Sequence, residues 1–306
     1  MQDIIIETQQ LTKYYGKTLA LDHLNLRVPR GCIYGFLGRN GSGKTTAIKL
    51  MLGLLKPTTG SASVLGCDAQ VLTPKTRGQI GYVTEGHRLY RWMRIGALET
   101  FQKAFFPDRW DSQLFDEMLD YFDLGKKQKI KSLSNGQRAQ VSLALTMAPD
   151  PDVMIMDDPT LGLDVVIRRQ FLEGMIHLIQ KKGKTILFSS HILSDVERVA
   201  DRIAVIEKGV LRADCTLEEF RRNIRKVHFV FDGQIPDVID IPGLLHKRHN
   251  QHHLELTLVG TTDEQIKNAV EATGAKDYAV VDLNIEDQFI EFTAREKTKP
   301  LFQWEA

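Results

Sequence analysis

The stretch Ile33-Tyr34-Gly35-Phe36-Leu37-Gly38-Arg39-Asn40-Gly41-Ser42-Gly43-Lys44-Thr45 joins a largely apolar run to a glycine-rich loop. The apolar run predicts a buried β-strand, and the residues after the loop have a helical pattern. A strand, the motif G-x-x-x-x-G-K-T and a helix in this order are typical of a loop that binds nucleoside triphosphates. The glycines let successive backbone N–H groups turn towards phosphate oxygens, and the helix presents its positive end to them. The stretch therefore predicts a nucleotide-binding domain of the α/β class.

Two side chains of this loop have a specific chemical task. The Lys44 ammonium is suited to bridge the terminal phosphates of ATP, and the Thr45 hydroxyl is suited to bind Mg²⁺. A glycine-rich turn without a ligand is the alternative, which the strand and helix on either side disfavour. The residues predicted to bind the nucleotide in this segment are Gly38, Asn40, Gly41, Ser42, Gly43, Lys44, Thr45 and Thr46.

A second apolar run, Val153-Met154-Ile155-Met156, ends in the carboxylates Asp157 and Asp158. A strand buried on both faces has this composition, and doubly wound sheets bind ligands at the carboxyl ends of their strands. Asp157 is predicted to hold Mg²⁺, and Asp158 to face the attacking water. Paired acids at a helix N-terminus are the alternative. The loop ending at Thr45 favours the catalytic interpretation.

The length of 306 residues predicts two domains. Further buried strands are predicted at 185–188 and 203–206, within a segment that alternates strands with amphipathic helices. The first domain is predicted to span residues 1–221. A helical subdomain at about 87–148 is inserted in it. Apolar positions of that subdomain predicted to lie in the core are Phe101, Phe105, Phe115, Met118, Leu119 and Phe122.

A small α+β domain is predicted from residue 222 to 306, after a charged helical link at 217–225. Strands are expected near residues 227–231 and 254–258. The next helix is well delimited, because Thr262 and Gln265 have the spacing of a capping box and Gly274 can end the helix in a left-handed turn. The last ten residues are predicted to be a tail.

Composition excludes several classes of protein. The chain has 40 Lys and Arg against 39 Asp and Glu, so a net charge of +1 gives no general attraction for nucleic acid, and none is expected as a partner. The three cysteines are scattered, which fits a reducing cytosol better than a disulfide framework or a zinc site. No run approaches the roughly 18 apolar residues that cross a bilayer. Contact with a membrane is therefore expected to need a partner.

The sequence Leu133-Ser134-Asn135-Gly136-Gln137 precedes a helical stretch, and Ser134 with Gln137 has the spacing of a capping box. Taken alone, it predicts only a well-capped helix. Together with the phosphate loop and the strand ending in Asp157, its order and spacing resemble the ATP-binding-cassette (ABC) ATPases over residues 4 to about 220. The resemblance implies a P-loop NTPase fold with a RecA-like α/β core and an inserted helical subdomain.

The resemblance also assigns roles to further residues. Tyr15 matches the family's adenine-stacking position, for which a core aromatic is the alternative, and Glu85 matches a position that usually carries Gln. Asp164 lies in the family's D-loop, and His191 matches the residue that contacts the γ-phosphate. Ser134, Gly136 and Gln137 match the signature that binds the ATP held by a second subunit. The resemblance thus implies that two chains enclose two ATP molecules.

Four residues depart from the family pattern: Asn135 replaces Gly, Leu161 replaces Ser, Glu85 replaces Gln and Asp158 replaces the general-base Glu. The shorter Asp158 predicts slow hydrolysis. Glu85 offers a carboxylate that could bind Mg²⁺ or orient water in partial compensation. ATP binding is expected to be unaffected.

The family branch that the chain resembles pairs ATPase subunits with separate membrane proteins. The resemblance implies an exporter subunit on the cytoplasmic face of the membrane, bound there through a transmembrane permease and dimeric with itself or a homologous subunit. ATP-driven closure of the dimer would drive the permease. The alternatives are a nucleotide-gated binding protein with little turnover, and a soluble ABC protein acting on ribosomes or DNA.

Two clusters remain open from the sequence. The histidines His246, His249, His252 and His253 could bind a metal, although they alternate with basic residues in what is predicted to be a turn between strands. A second cluster, Arg88, Tyr90, Arg91, Trp92 and Arg94, follows Glu85 and could contact a partner or form a solvated basic face.

Overall fold

The computed structural model of this chain describes residues 3–236, 239–250 and 252–293, without the side chains of residues 177–182. The chain divides into two compact units, Met1–Cys215 and Thr216–Ala306. The sequence placed the boundary between residues 221 and 222. The division lies earlier because the helix that begins after Thr216 packs with the second unit, where Phe220 lies 5.6 Å from Phe292 between ring centroids.

The first unit contains ten strands and seven α-helices among its described residues. In chain order they are β1 (Ile4–Tyr15), β2 (Thr18–Pro29), β3 (Ile33–Leu37), α1 (Lys44–Met51), β4 (Thr59–Val64), β5 (Cys67–Asp68), α2 (Pro74–Arg77), β6 (Ile80–Val83), α3 (Ile95–Lys103), α4 (Ser112–Tyr121), α5 (Asn135–Met147), β7 (Val153–Met156), α6 (Val165–Lys182), β8 (Thr185–Ser190), α7 (Leu193–Val199), β9 (Arg202–Glu207) and β10 (Val210–Thr216).

A six-stranded sheet in the order β10-β9-β3-β8-β7-β6 forms the centre of this unit. β3 pairs in parallel with β8 and β9, and β7 pairs in parallel with β6 and β8. Leu37 lies opposite Ser190, and Met156 lies opposite Phe188. The register therefore brings the loops that follow β3, β7 and β8 to one edge of the sheet, where doubly wound folds bind their ligands.

A second sheet is antiparallel, in the order β2-β1-β4-β5. Its apolar side chains share one buried cluster with α1 and with the parallel sheet, including Leu26, Ile48, Tyr34 and Ile155. This layer was not predicted, because β1 mixes polar and apolar residues and its pairing with β2 contains register shifts that break the period of two.

The buried strands predicted at 33–37 and 153–156 are confirmed with these bounds, and those at 185–188 and 203–206 are each extended in the structure. Helices α3, α4 and α5 confirm the helical character of the inserted segment. The prediction that Phe101 and Phe105 lie in the core is wrong, because their side chains are 42% and 67% exposed. Phe115, Met118, Leu119 and Phe122 are buried as predicted.

The second unit contains four strands and three helices among its described residues. They are α8 (Leu217–Asn223), β11 (Ile224–Val230), β12 (Leu244–Asn250), β13 (His253–Val259), α9 (Asp263–Thr273), β14 (Asp277–Val281) and α10 (Ile285–Thr293). The strands form an antiparallel sheet in the order β12-β13-β11-β14.

One face of this sheet packs with α9 in a core that includes Val227, Phe229, Leu256 and Ile266. The predicted capping box of α9 and its left-handed end at Gly274, with φ of +70°, are confirmed. The predicted link at 217–225 is helical only to Asn223, after which β11 begins. The predicted tail lies outside the described residues.

Across the described ranges of both units, no helix combines the length and the apolar character that crossing a membrane requires.

Candidate functional site

The loop between β3 and α1 has the conformation that a phosphate-binding loop requires. Gly43 precedes α1 with φ of +108°, and a Cβ there would lie 2.7 Å from the Ala20 carbonyl oxygen, so glycine is needed at this position. The Ser42 hydroxyl is buried and has no hydrogen-bond partner among the described residues. An unsatisfied buried hydroxyl in a glycine-rich loop fits a site whose polar ligand completes it.

Lys44 is the first residue of α1 and is only 4% exposed. Its Nζ donates to the carbonyl oxygens of Gly38 at 2.8 Å and Arg39 at 3.4 Å, so the ammonium is held within the loop. Burial lowers the pKa of Lys44, while the negative charges of Asp158, Asp157 and Glu85 act in the opposite direction. An incoming phosphate would add negative charge beside this buried cation and so stabilise its charged form.

Asp157, which is 2% exposed, lies directly after β7 and faces the start of α1. Its Oδ1 accepts hydrogen bonds from Thr45 Oγ1 at 3.1 Å and from Ser189 Oγ at 2.9 Å. Thr45 and Asp157, each predicted to bind Mg²⁺, are thus adjacent in the structure. A carboxylate with neighbouring hydroxyls is a donor set of the oxygen type that Mg²⁺ prefers.

Ser189 was not among the predicted site residues. It is fully buried near the end of β8, donates to Asp157 and accepts the backbone N–H of Asp158 at 2.8 Å. The Ser-Ser pair before His191 was visible in the sequence, but its role depends on the parallel register of β7 and β8. Ser189 therefore orients both acidic residues.

Asp158 connects the phosphate loop with the residue after β8. Its Oδ1 accepts from His191 Nδ1 at 3.0 Å, and its Oδ2 lies 3.9 Å from Lys44 Nζ. The backbone at Asp158 is left-handed, with φ of +43°. Three residues that the sequence analysis singled out separately are therefore adjacent in the structure.

The loop after Asp158 is attached to α7 and α6 by a buried polar cluster. Thr160 Oγ1 donates to Asp195 Oδ2 at 2.6 Å, and Arg168 Nε lies 3.9 Å from the same oxygen. Burial raises the pKa of Asp195, an effect that the hydrogen bond from Thr160 and the charge of Arg168 partly offset. This cluster could not be predicted from the sequence, because its members lie up to 35 residues apart.

Glu85 lies in an exposed loop after β6, near enough to Lys44 to act on its pKa. Two residues later, His87 is buried, and its Nε2 lies 2.9 Å from the Pro159 carbonyl oxygen. Burial lowers the pKa of His87, as does the nearby charge of Arg138, against the effect of the backbone hydrogen bond. This residue was not among the predicted site residues.

Ser134 precedes α5 and forms the predicted capping box. Its Oγ accepts from the backbone of Gln137 at 3.1 Å, and the Gln137 side chain accepts from the backbone of Ser134 at 3.0 Å. The Asn135 side chain accepts from Arg138. Within the described part of the chain, no hydrogen bond joins this segment to the phosphate loop. The helix start is thus formed, and the hydroxyl proton of Ser134 is available to a ligand.

Tyr15 lies at the end of β1 and is 48% exposed, so the alternative of a core aromatic is wrong. Lys13 Nζ lies 5.4 Å from its ring centroid. Asp164 is exposed, and its Oδ1 accepts the backbone N–H groups of Val166 and Ile167 at 3.0 Å each. Asp164 therefore caps α6, and its predicted role towards a nucleotide stays a prediction.

In the histidine cluster of the second unit, His252 lies in the predicted turn between two strands, whereas His246 and His249 lie in β12 and His253 begins β13. His246 Nε2 lies 2.9 Å from the Glu291 carbonyl oxygen. Among the residues that the structure describes, no group of three or more His, Cys, Asp or Glu side chains could hold a metal ion.

Four aromatic side chains form a continuous row on the surface of the inserted helical segment. Adjacent ring centroids are separated by 6.3 Å from Trp92 to Tyr90, 5.7 Å from Tyr90 to Phe101 and 5.2 Å from Phe101 to Phe105. All four rings are exposed, Trp92 to 77%. Exposed apolar patches of this kind mark interaction surfaces. We refer to these four residues as the aromatic row.

Comparison with known proteins gives consistent matches. The family described as "ABC transporter" matches residues 21–161. The bacitracin transport ATP-binding protein BcrA of Bacillus licheniformis is 33% identical, over 82% of this chain and 82% of its own length. The ABC transporter ATP-binding protein YtrB of Bacillus subtilis is 29% identical, over 94% of this chain and 97% of its own. A solved ATP-binding subunit of an ABC transporter superposes with a TM-score of 0.64 at 27% identity, covering 71% of this chain and 92% of that one.

Proposed function

Because this chain belongs to the ABC transporter family, we propose that two subunits close on ATP and Mg²⁺ and thereby drive a separate transmembrane permease. The predicted family, the P-loop ABC cassette fold and the assignment as an ATP-binding ATPase subunit of the export type are confirmed. The alternatives, a gated binding protein with little turnover and a protein acting on ribosomes or DNA, gain no support.

The observation that carries the proposed chemistry is the convergence of Lys44, Asp157 and Asp158 at one edge of the parallel sheet. Lys44 would bind the terminal phosphates, helped by the backbone N–H groups of the loop. Asp158 would accept a proton from the attacking water, and His191, bonded to its Oδ1, would hold the carboxylate in place. Ser189 also holds Asp158 in place, because its hydroxyl accepts the backbone N–H of Asp158.

Thr45 and Asp157 would hold Mg²⁺, with Glu85 as a further carboxylate at the same edge. When bound, the ion supplies positive charge that neutralises the phosphate oxygens. The Thr45 hydroxyl lies 3.1 Å from Asp157 Oδ1, so the two oxygens are close enough to serve one ion. This arrangement supports the predicted metal residues.

Ser134, Gly136 and Gln137 would bind the ATP held by the other subunit. The capped start of α5 offers N–H groups and a positive helix end that are suited to a phosphate. These residues make no hydrogen bond to the phosphate loop of their own chain within the described ranges, which supports a site completed by a partner subunit. Tyr15, exposed at the end of β1, would stack on the adenine.

The permease would bind at the aromatic row, on the cytoplasmic face of the membrane. The row lies within the segment that follows Glu85, so a partner bound there would contact residues that are near Glu85 in the sequence. Arg88 and Arg91 are exposed beside it and would favour an acidic or amidic partner segment. The relatives named above carry out transport or belong to transporters, which supports this assignment.

Nucleotide binding tests the first part of the proposal. Lys44→Ala should abolish ATP binding and phosphate release, because it removes the buried cation of the loop. Lys49→Ala, a change on the same helix with the side chain only partly buried, is the matched control and should leave both intact. Equal loss in the two variants would refute the assigned role of Lys44.

Membrane recruitment tests the second part. The chain alone should remain in the high-speed supernatant, and co-expression with its permease should move it to the membrane fraction. Trp92→Ala should reduce this recruitment, whereas Tyr121→Ala, at another exposed aromatic of the helical segment, should not. Membrane association that needs no permease and withstands high salt would contradict the proposal.

A further inference from the structure

His87 is the only buried side chain in the continuously described segment between Val83 and Ile95. Its neighbours Glu85 and Arg88 are exposed. The backbone turns the ring inward through two successive left-handed residues, Gly86 with φ of +76° and His87 with φ of +45°. A left-handed conformation is unfavourable for residues other than glycine and is kept only where the surroundings require it.

The buried ring makes one specific hydrogen bond. His87 Nε2 lies 2.9 Å from the Pro159 carbonyl oxygen, and because a carbonyl can only accept, Nε2 carries the hydrogen and donates it. The other nitrogen, Nδ1, is buried without a hydrogen-bond partner in the part of the chain that the structure describes. The ring also packs against Phe171 of α6, with centroids 6.3 Å apart.

For stability alone, a buried histidine is less favourable at this position than an apolar side chain. A buried nitrogen without a partner is unfavourable for stability, and an apolar side chain of similar size would avoid that penalty. The hydrogen bond to Pro159 is the feature of His87 that an apolar residue could not provide. The position therefore calls for an explanation beyond packing.

Pro159 directly follows Asp158, so the bond acts on the loop that carries the proposed general base. On its other side the same loop is held by the hydrogen bond from Thr160 to Asp195 on α7. Ser189 and His191 also bond to Asp158 in this loop, and His87 adds an attachment from the loop that contains Glu85, with His87 and Pro159 lying 72 residues apart in sequence.

We propose that His87 is a positioning residue whose Nε2–H bond to the Pro159 carbonyl fixes the loop of Asp158 and connects it to the loop of Glu85. The inference rests on the proposed role of Asp158. His87 acts through the backbone and does not touch the nucleotide. If the segment from Glu85 to the aromatic row moves, this hydrogen bond would transmit the displacement to the Asp158 carboxylate.

Three variants separate this role from simple packing. His87→Gln keeps an N–H donor at a reach similar to Nε2. His87→Asn suits the left-handed backbone best, but its amide is too short to reach Pro159. His87→Ala removes the donor altogether. His23→Ala is the matched control, since His23 has a similar φ of +48° but is exposed.

We expect His87→Ala and His87→Asn to lower kcat of ATP hydrolysis about tenfold or more, because small displacements of a catalytic group have effects of this size. The dissociation constant for ATP should stay within about twofold, since Lys44 and Thr45 are untouched, and His87→Gln should restore kcat to within about threefold. His23→Ala should resemble the wild type. A kcat for His87→Gln as low as that of His87→Ala would overturn the inference, as would a parallel loss of ATP affinity.

A second measurement does not depend on hydrolysis. Amide hydrogen exchange of residues 158–164, measured on the full chain with and without ATP and Mg²⁺, should be faster in His87→Ala and His87→Asn and close to wild type in His87→Gln. Unchanged exchange in His87→Ala would overturn the inference. If the wild type released no phosphate, the proposed function would fail, while this exchange result would still decide the role of His87.

Discussion

Asp158→Glu should increase the rate of ATP hydrolysis while lowering the stability of the protein. The Asp158 carboxylate accepts a hydrogen bond from His191 at 3.0 Å and lies 3.9 Å from Lys44 Nζ, so these two side chains hold it close to the protein. One additional methylene moves the carboxylate outward by about 1.5 Å. If geometry limits the rate, kcat should rise about tenfold, which corresponds to about 1.4 kcal/mol in the activation free energy.

The stability cost follows from the backbone. Asp158 has φ of +43°, a conformation that aspartate tolerates better than glutamate, so the free energy of unfolding should fall by about 1 kcal/mol. Asp123→Glu is the matched control, because Asp123 has φ of +53° and is exposed at the end of α4. It should lose similar stability with no change in rate.

Steady-state phosphate release at saturating ATP and thermal unfolding of the three proteins are the assays. An unchanged or slower rate in Asp158→Glu, with the same stability loss as Asp123→Glu, would show that the shorter side chain does not limit turnover. The prediction that the short side chain of Asp158 slows ATP hydrolysis would then be wrong.

Three further predictions concern stability and domain structure. Gly136→Ala should destabilise the protein by about 1–3 kcal/mol in chemical unfolding, because the new Cβ would lie 2.8 Å from Cγ2 of the β-branched Ile167. The control is Gly174→Ala, which should be neutral or stabilising because its Cβ would lie 3.8 Å from the nearest atom. Burial raises the pKa of Asp195, so the stabilisation from its protonated form is fully present below the unfolded-state pKa of about 3.9 and is lost as the pH rises through the raised pKa. The unfolding free energy of the wild type should therefore fall relative to Asp195→Asn as the pH rises from about 4, and a constant difference would contradict the assigned burial effect. A chain truncated after Thr216 should still fold and bind ATP, and a folded truncation without ATP binding would disprove the independence of the second unit.

The central strands were predictable because they are buried on both faces. Ile33–Leu37 and Val153–Met156 are short apolar runs bounded by turns, and such runs predict buried strands independently of the rest of the fold. The antiparallel sheet of β1, β2, β4 and β5 was not predictable in this way. Its strands are half exposed, and register shifts interrupt their alternation.

Phe101 and Phe105 show a second limit. Their spacing of four residues matches a helix face, but periodicity cannot tell a face that packs on the core from one that meets a partner. In α3 the buried residues are Ile95, Leu98 and Glu99, and the two phenylalanines join Tyr90 and Trp92 in the aromatic row.

For the candidate site, the residues within contiguous motifs could be predicted from the sequence, namely Lys44, Thr45, Asp157 and Asp158. Ser189 and His87 could not, because their roles depend on contacts made by the folded chain. Ser189 reaches Asp157 through the parallel register of β7 and β8, and His87 reaches Pro159 through two left-handed residues. Chemistry that depends on tertiary contacts leaves no fixed spacing in the sequence.

If the catalytic site is completed between two subunits, ATP must promote dimerisation. Sedimentation should be compared for Asp158→Asn and for the double variant Asp158→Asn with Ser134→Arg, each with ATP and Mg²⁺ and with ADP. Asn keeps the size of Asp158 and suits its left-handed backbone, so the first protein should bind ATP without hydrolysing it. We predict a dimer for Asp158→Asn with ATP, a monomer with ADP, and an ATP-bound monomer for the double variant. Normal ATP-dependent dimerisation of the double variant would rule out a catalytic site completed by Ser134 of a second subunit.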